Sequence, residues 1–142
     1  MITRFKILGA SNDILLDLYN KFVRSAVEYA VPAWNAGIGD GEAAQVERVQ
    51  KSSLSVIFKN KSYTQNLRTA KFKTLKIRRD DTSTKFAIKT VKNARFNDWF
   101  VINPNPKNTR QINKKYKEPI FRCNRFKRSP IPYLTALLNK YQ

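Results

Sequence analysis

Two adjacent carboxylates, Asp80 and Asp81, lie in the stretch IRRDD of a chain that is otherwise rich in lysine and arginine. Paired aspartates hold magnesium in enzymes that polymerise nucleotides, where a tight turn between two strands makes both side chains converge on one ion. The flanking stretches LKIRR and TSTKFAIKTVK favour a helix instead, on which neighbouring side chains diverge by about 100°. We therefore predict acidic groups near a helix N-terminus, close to Arg78 or Lys85, rather than a metal site.

Other catalytic chemistry has little support in the sequence. The chain contains no histidine, so hydroxyl and thiol nucleophiles lack an imidazole base and zinc lacks good ligands. The single cysteine, Cys123, stands near Arg122 and Arg125; we interpret it as a small packed side chain, with a reactive thiol as the alternative. The glycines of GIGDG lack the lysine of a phosphate-binding loop. We predict no enzyme activity and no cofactor for this chain on its own.

The charge of the chain points to a polyanionic partner. The sequence has 28 basic and 10 acidic residues, and its formal net charge is +18. Residues 1–50 carry five basic and six acidic groups, whereas residues 51–142 carry 23 and four, so we expect the partner to contact the second part. The N-terminus lacks the pattern of a secretory signal and no run approaches the roughly 20 apolar residues of a membrane span. We therefore predict an intracellular protein without a membrane partner, and leave nucleus or cytoplasm open.

Apolar residues recur at three-and-four spacing in several stretches, which predicts helices. The predicted helices cover residues 11–31, 41–58, 63–70 and 75–93, and a short one starts at Pro130. Pro32 is expected to stop the first helix because proline lacks an amide hydrogen. On the second helix, Glu47 and Lys51 are spaced as an exterior ion pair.

These elements predict a mainly α fold, with a small bundle of three to five helices, an irregular basic arm and a short terminal helix. The stretch PIFRCNRF alternates in a way that allows a short β-hairpin within the arm. Pro104, Pro106 and Pro119 break the helical pattern, so we predict two domains, a helical one over residues 1–100 and the arm with its terminal helix over residues 101–142.

Basic residues at helical spacing, on a face away from the apolar stripe, can each meet a phosphate. On the 75–93 helix the apolar arc is predicted to hold Ile77, Ala87, Ile88, Val91 and Ala94, about 130° from the basic arc. The nucleic-acid-binding candidates on that helix are Arg78, Lys85, Lys89 and Lys92. The candidates in the arm are Arg110, Lys114, Lys115, Arg122, Arg125, Lys127 and Arg128. An ordinary solvated helix face also carries lysines, so this alternative stays open for each residue.

Aromatic residues of the arm have two interpretations. Tyr116, Phe121 and Phe126 are interleaved with the basic residues and are able to stack on bases, or they anchor an arm that has little other apolar material, which we favour. Trp34 and Trp99 are predicted to be hydrophobic anchors.

Four stretches resemble the region that follows the polymerase core in reverse transcriptases of non-LTR retrotransposons, particularly the jockey-like elements. They are LYNKFVRSAVEYAVPAW, ERVQKSSLSVIF, SYTQNL with TLKIRRD, and SPIPYLTALLNK. Their order and spacing agree with the family pattern over nearly the whole chain. The chain departs from that pattern at Val31, where the family often has cysteine, at Asn35, where it often has histidine, and in KSSLSV, where it has more arginine.

The resemblance implies the thumb and C-terminal extension of a right-hand polymerase, which grip template and primer behind the active site. The catalytic aspartates and their magnesium belong to the palm, which this stretch does not include. The implied function is that of a non-catalytic fragment of an RNA-directed DNA polymerase that binds the backbone of RNA or an RNA/DNA hybrid. The alternatives are a protein-interaction element that packs on the palm through Leu15, Phe22 and the segment 133–138, and an independent basic RNA- or DNA-binding protein.

Overall fold

A computed structural model of the chain describes residues 1–59, 61–104 and 114–141, and these residues are mainly helical, which confirms the predicted fold class. Its α-helices are α1 (Ile2–Ile7), α2 (Asn12–Leu18), α3 (Ser25–Val27), α4 (Val31–Trp34), α5 (Asp40–Ile57), α6 (Tyr63–Ala70), α7 (Leu75–Val91), α8 (Asn124–Lys127) and α9 (Pro130–Lys140). A π-helical segment, Tyr19–Arg24, joins α2 to α3, and a 3-10 helix covers Ala94–Trp99.

The predicted helix over residues 11–31 is wrong at its C-terminal end. Helical structure continues from α2 through the π-helical segment into α3, which ends at Val27. Ala30 then adopts a left-handed conformation with φ 50°, and Pro32 lies within α4 instead of stopping the preceding helix. Proline is tolerated there because the first amide groups of a helix have no intrahelical partner.

Side-chain caps set the starts of several helices. The Ser11 hydroxyl accepts from the amide of Ile14 at 3.5 Å at the start of α2. Before α6, Ser62 and Gln65 form a reciprocal capping box. The Thr74 hydroxyl accepts from the amide of Ile77 at 3.4 Å at the start of α7. The observed ranges of α5, α6 and α7 therefore follow the predicted ones closely.

The short β-hairpin allowed for PIFRCNRF is wrong. The last three residues of that stretch, 124–126, belong to α8, and the only β-pairing in the described ranges is an antiparallel bridge between Ile102 and Tyr116. Two backbone bonds of 2.8 Å flank the bridge, from Asn103 to Lys115 and from Lys117 to Val101. An alternation of apolar and polar side chains over so few residues is weak evidence for a strand. A strand forms only when it pairs with another strand, and this stretch does not contain such a partner.

Contacts divide the chain into two compact units. Unit 1 comprises Met1–Tyr29 and Gly39–Arg78, and unit 2 comprises Ala30–Ile38 and Arg79–Gln142. This division differs from the predicted boundary at residue 100, because α9 shares a core with Ala87 of α7 and with Phe100. Residues 101–142 are thus grouped with residues 30–38 and 79–100 in this division.

Unit 1 is built around an apolar core and one buried polar hub. The core contains Ile2, Leu15, Tyr19, Leu54, Ile57 and Phe58. The hub is Gln50, a fully buried residue that accepts a hydrogen bond from the Tyr19 hydroxyl at 2.8 Å. Its amide donates to the Tyr63 hydroxyl at 3.0 Å and to the backbone oxygen of Lys73 at 3.1 Å.

Glu47 lies about one helical turn before Gln50 on α5, and its hydrogen bonds connect α5 to α6 and to the start of α7. Its carboxylate accepts from the Tyr63 hydroxyl and from the backbone amides of Leu75 and Lys76, each of these two at 3.2 Å. A carboxylate at a helix N-terminus satisfies amides that have no partner within the helix and complements the helix dipole.

Unit 2 has its own apolar core, made by Ala87, Phe100, Tyr116, Leu134, Leu137 and Leu138. The carboxamide of Asn139 on α9 bonds both backbone groups of Tyr116 at 3.0 Å, so α9 also holds the chain after residue 113. Across the three described ranges, none of the helices has the length and apolar character needed to span a bilayer.

Candidate nucleic-acid interface

Helix α7 has one buried and one exposed face within unit 2. Its fully or nearly fully buried residues there are Arg79, Ser83, Thr84, Ala87 and Thr90. Lys85, Lys89 and the adjacent Lys92 are exposed, and at 100° per residue each lies within about 40° of the direction opposite Ala87. Three cations therefore form a row on the solvent side, which we call the lysine row.

The predicted apolar arc of this helix is partly wrong. Ala87 is buried and Val91 half-buried, but Ile77 and Ile88 are 48% and 44% exposed, and Ala94 is exposed. The inward face is largely polar instead, which an apolar-periodicity argument does not recognise. Thr90 is accommodated because its hydroxyl donates to the backbone oxygen of Phe86 at 2.8 Å.

The polar inward face leads to a network that includes one of the paired aspartates. The Nε of Arg79 donates to the Asn35 side-chain oxygen at 3.0 Å, and the Asn35 amide donates to the Tyr133 hydroxyl at 2.7 Å. That hydroxyl donates to Oδ1 of Asp80 at 3.0 Å, and the Asn35 amide also lies 3.3 Å from the same oxygen. The Arg79 guanidinium stands over the Trp34 ring, 5.9 Å from its centroid.

This network engages one of the two aspartates of the IRRDD stretch. Asp80 and Asp81 lie in α7, as predicted, but beyond its first turn rather than near its N-terminus, and Asp80 accepts hydrogen bonds from neutral groups on α9 and near α4. Within residues 1–59, 61–104 and 114–141, no three His, Cys, Asp or Glu side chains are grouped so that they could hold a metal ion. The Asp80 carboxylate acts as a hydrogen-bond acceptor that connects separate segments of unit 2.

The pKa of Tyr133 is raised to about 12, mainly by burial and then by the hydrogen bond to Asp80 and the charge of that carboxylate, against smaller lowering effects. The hydroxyl therefore stays protonated at neutral pH and remains a donor to the carboxylate. A neutral donor that serves a charged acceptor makes a stronger bond than a neutral pair does.

Arg78, a predicted phosphate contact, belongs to unit 1 and forms an ion pair there. Its Nε and one terminal nitrogen contact the two carboxylate oxygens of Glu28 at 2.5 and 2.8 Å. The side chain of Arg78 is 32% exposed and that of Glu28 16% exposed, so the bidentate pair is partly shielded from water. Arg24 lies close enough for the Arg78 charge to help lower its pKa, after the larger effect of burial.

The candidate cations of the arm belong to unit 2 and differ in their surroundings. Lys114 is half-buried and pairs with Glu118 at 2.7 Å, and the amine of Lys115 lies 5.5 Å from the Tyr116 ring centroid. Arg122, Arg125, Lys127 and Arg128 are all exposed. Arg110 lies outside the described residues.

The aromatic candidates separate into one anchor and two exposed rings. Tyr116 is 7% exposed and meets Phe100 edge-on, with ring centroids 6.2 Å apart, so it is an anchor as favoured. Phe121 and Phe126 are 43% and 41% exposed, so their rings are accessible. Trp99 packs against Phe96 with centroids 4.7 Å apart.

The expectation that Cys123 is a small packed side chain is wrong. The residue is exposed at the N-terminal boundary of α8.

The network around Tyr133 is the part of the site that sequence reasoning missed. Its members come from three separate segments of the sequence, PAWN, IRRD and SPIPY. The sequence does carry polar residues in these three segments, but a hydropathy pattern assigns polar residues to the exterior and so does not predict that they meet.

Comparison with known proteins finds no matching family model, no matching curated protein and no matching solved structure.

Proposed function

We propose that this chain is a non-catalytic nucleic-acid-binding unit that grips the phosphate backbone of RNA or an RNA/DNA hybrid. The observation that carries the proposal is the lysine row, in which Lys85 and Lys89 lie on the face of α7 opposite its buried side and Lys92 directly follows the helix. Cations held at helical spacing on a face that the core does not use are able to meet successive phosphates without rearranging the fold.

The charge of unit 2 supports the same proposal. Its sequence ranges contain 15 lysine and arginine residues against four aspartate and glutamate residues. Of the acidic residues, Asp80 is engaged in the Tyr133 network and Glu118 pairs with Lys114. The acidic residues of this unit are too few to neutralise its positive charge. A bound polyanion would supply the missing negative charge.

The resemblance to non-LTR reverse transcriptases supports a more specific role, that of the thumb and C-terminal extension. In that role the chain binds template and primer, while the palm of the same polymerase supplies the catalytic aspartates and magnesium. The helical architecture and the engagement of Asp80 in hydrogen bonds agree with a binding role for the residues described.

A salt titration tests the proposed function. If about six phosphates are met, affinity for an RNA/DNA duplex falls roughly a thousandfold between about 50 and 200 mM salt. Replacing Lys85, Lys89 and Lys92 together by glutamine is expected to reduce the slope of log K against log salt by two to three, which fluorescence anisotropy measures.

A matched variant controls for total charge. Lys51, Lys59 and Lys71 are three exposed lysines of unit 1, and their replacement by glutamine removes the same charge. We expect the control variant to keep most of the wild-type slope. Equal slopes for the two triple variants, or wild-type binding that does not respond to salt, would contradict the proposed function.

A second candidate function, docking on a larger protein, is favoured by exposed apolar side chains of unit 1. Ile7 and Leu8 are each 80% exposed and Phe22 is 58% exposed. Of the residues expected for such an interface, Leu15 is fully buried and Phe22 is accessible, while the segment 133–138 has four buried residues, Leu134, Thr135, Leu137 and Leu138. This candidate requires calorimetric binding to a palm-bearing polymerase segment that is lost in the Leu8→Ser, Phe22→Ser variant; binding that survives these changes would exclude this surface.

A further inference from the structure

Unit 2 contains a cavity of about 420 Å³ beside α8. Ligand sites in proteins have volumes of about 300–1,000 Å³ and combine apolar walls with a few placed polar groups. The residues of the lining that bear on its chemistry are Phe121, Asn124, Lys127, Arg128, Pro132 and Tyr133. The cavity thus brings an aromatic ring, an amide and two cations together.

Phe121 supplies an aromatic surface for stacking. Its side chain is 43% exposed, although it lines the cavity, so part of the ring is open to a ligand. Successive bases of single strands stack on such rings in nucleic-acid-binding proteins, and the contact tolerates any base because every base has a π-face. The amine of Lys127 lies 5.5 Å from the ring centroid, so a cation stands beside the same surface.

The polar groups of the lining suit a nucleotide. Lys127 and Arg128 are exposed cations able to meet a phosphate, and the Asn124 amide offers both a donor and an acceptor to a base edge. Glu118, the acidic residue of the lining, pairs with Lys114 at 2.7 Å, which offsets its repulsion of phosphate. The Tyr133 hydroxyl already bonds Asn35 and Asp80, so this residue offers mainly its ring to the cavity.

We propose that this cavity binds one unstacked nucleotide of a single strand, with the base against Phe121 and the phosphate near Lys127 and Arg128. A base within a duplex has both faces covered by its neighbours, so only an unpaired nucleotide is able to enter. The inference rests on the proposed function and deepens it, because it assigns single-stranded nucleic acid next to a duplex as the ligand of unit 2.

Two oligonucleotides of equal charge test the inference. One is a single-stranded thymidylate hexamer, and the other is the same sugar-phosphate hexamer without bases. Fluorescence anisotropy at about 0.1 M salt compares their affinities, and the phosphate contribution cancels between them. Wild-type protein is expected to prefer the hexamer with bases by about tenfold, and Phe121→Ala to remove that preference while binding the abasic hexamer unchanged.

Three variants make the result specific to this ring. Phe121→Trp keeps an aromatic face and should retain the preference, whereas Phe121→Leu keeps apolar volume and should lose it. Phe126→Ala is the matched control, because Phe126 lies in α8, is 41% exposed like Phe121 and does not line this cavity. Circular dichroism of each variant establishes that the helices are intact.

The outcomes separate this inference from the proposed function. Wild-type binding to both hexamers without a preference for bases overturns the inference alone, as does a preference that survives in Phe121→Ala. The same holds if Phe121→Leu retains it, because an apolar contact of the kind a peptide would make then explains the cavity. Absence of salt-dependent binding to either hexamer and to the duplex overturns the proposed function and the inference together.

Discussion

The Tyr133 hydroxyl holds a position on which two segments of unit 2 depend. It donates to Asp80 on α7 and accepts from Asn35, the residue that follows α4. Replacing Tyr133 by phenylalanine keeps the ring and removes both bonds. We expect a loss of about 1–3 kcal/mol in the free energy of unfolding at pH 8, measured by urea denaturation, because a charged acceptor and a half-buried amide each lose a partner.

The same variant predicts a pH dependence. The pKa of Tyr133 in the folded chain, about 12, exceeds the ordinary value of about 10, so the unfolded chain releases this proton first. The stabilisation is therefore fully present below pH 10 and is lost as pH rises towards 12. Urea titrations at several pH values should show the wild-type advantage over Tyr133→Phe shrinking in that window. Parallel stability profiles for the two proteins would contradict the assignment.

Arg78 shows why a single side chain is hard to assign from sequence. Its spacing from Lys85 places it on the basic arc, and that arithmetic is sound for a helix. The residue that engages it, Glu28, lies 50 positions earlier, and both belong to unit 1. Local spacing gives the direction of a side chain but contains no information about which distant group it meets.

Gln50 of α5 connects several elements of unit 1 through hydrogen bonds. Its side chain bonds Tyr19 in the π-helical segment, Tyr63 in α6 and the backbone of Lys73 before α7. Replacing Gln50 by leucine leaves the buried Tyr19 hydroxyl without its acceptor and removes the part-buried bonds to the Lys73 carbonyl and the Tyr63 hydroxyl. We expect a loss of about 2–4 kcal/mol in the free energy of unfolding, because each unsatisfied buried group costs about 1–3 kcal/mol.

The control for this change lies on the same helix. Gln45 is exposed on α5, so Gln45→Leu makes the same chemical replacement without a buried network. Urea denaturation should show a change within about 0.5 kcal/mol for this variant. A similar loss for both variants would mean that helix propensity, and not the hub, accounts for the effect.

The helices that sequence reasoning located best are those with local signals. Helix α6 begins after Ser62 and covers the predicted residues, and α9 starts at Pro130 as predicted, since caps and prolines act within one turn. The spacing of Glu47 and Lys51 predicts an ion pair between them. The Glu47 carboxylate instead accepts from the backbone amides of Leu75 and Lys76 at the start of α7, 28 and 29 residues later. Such a cap depends on tertiary structure, which hydropathy and spacing do not encode.

At the scale of the whole molecule, unit 2 is assembled from two separate stretches of sequence. Ala30–Ile38 joins residues 79–142, and it contributes the fully buried Val31 together with Trp34 and Asn35. A fragment of residues 79–142 lacks these groups. We expect it to melt without a cooperative transition in circular dichroism, because Arg79 and Tyr133 then lose their partners.

A fused fragment provides the comparison. Residues 30–38 joined to residues 79–142 through a flexible glycine and serine linker restore the missing groups. This chain should regain a cooperative thermal transition. Cooperative melting of residues 79–142 alone would show that the short stretch is dispensable and would contradict the assignment of unit 2.

Because unit 2 is assembled from two separate stretches of sequence, the two units become able to fold at different times during synthesis. All residues of unit 1 have been translated once the ribosome has passed Arg78, and domains generally fold as units while synthesis proceeds. Val31, Trp34 and Asn35 leave the ribosome early, but the tyrosine and the leucines of α9 follow only about a hundred residues later. Until α9 has been translated, residues 30–38 lack the rest of unit 2, with which they pack. We expect a chaperone to bind this segment of the nascent chain.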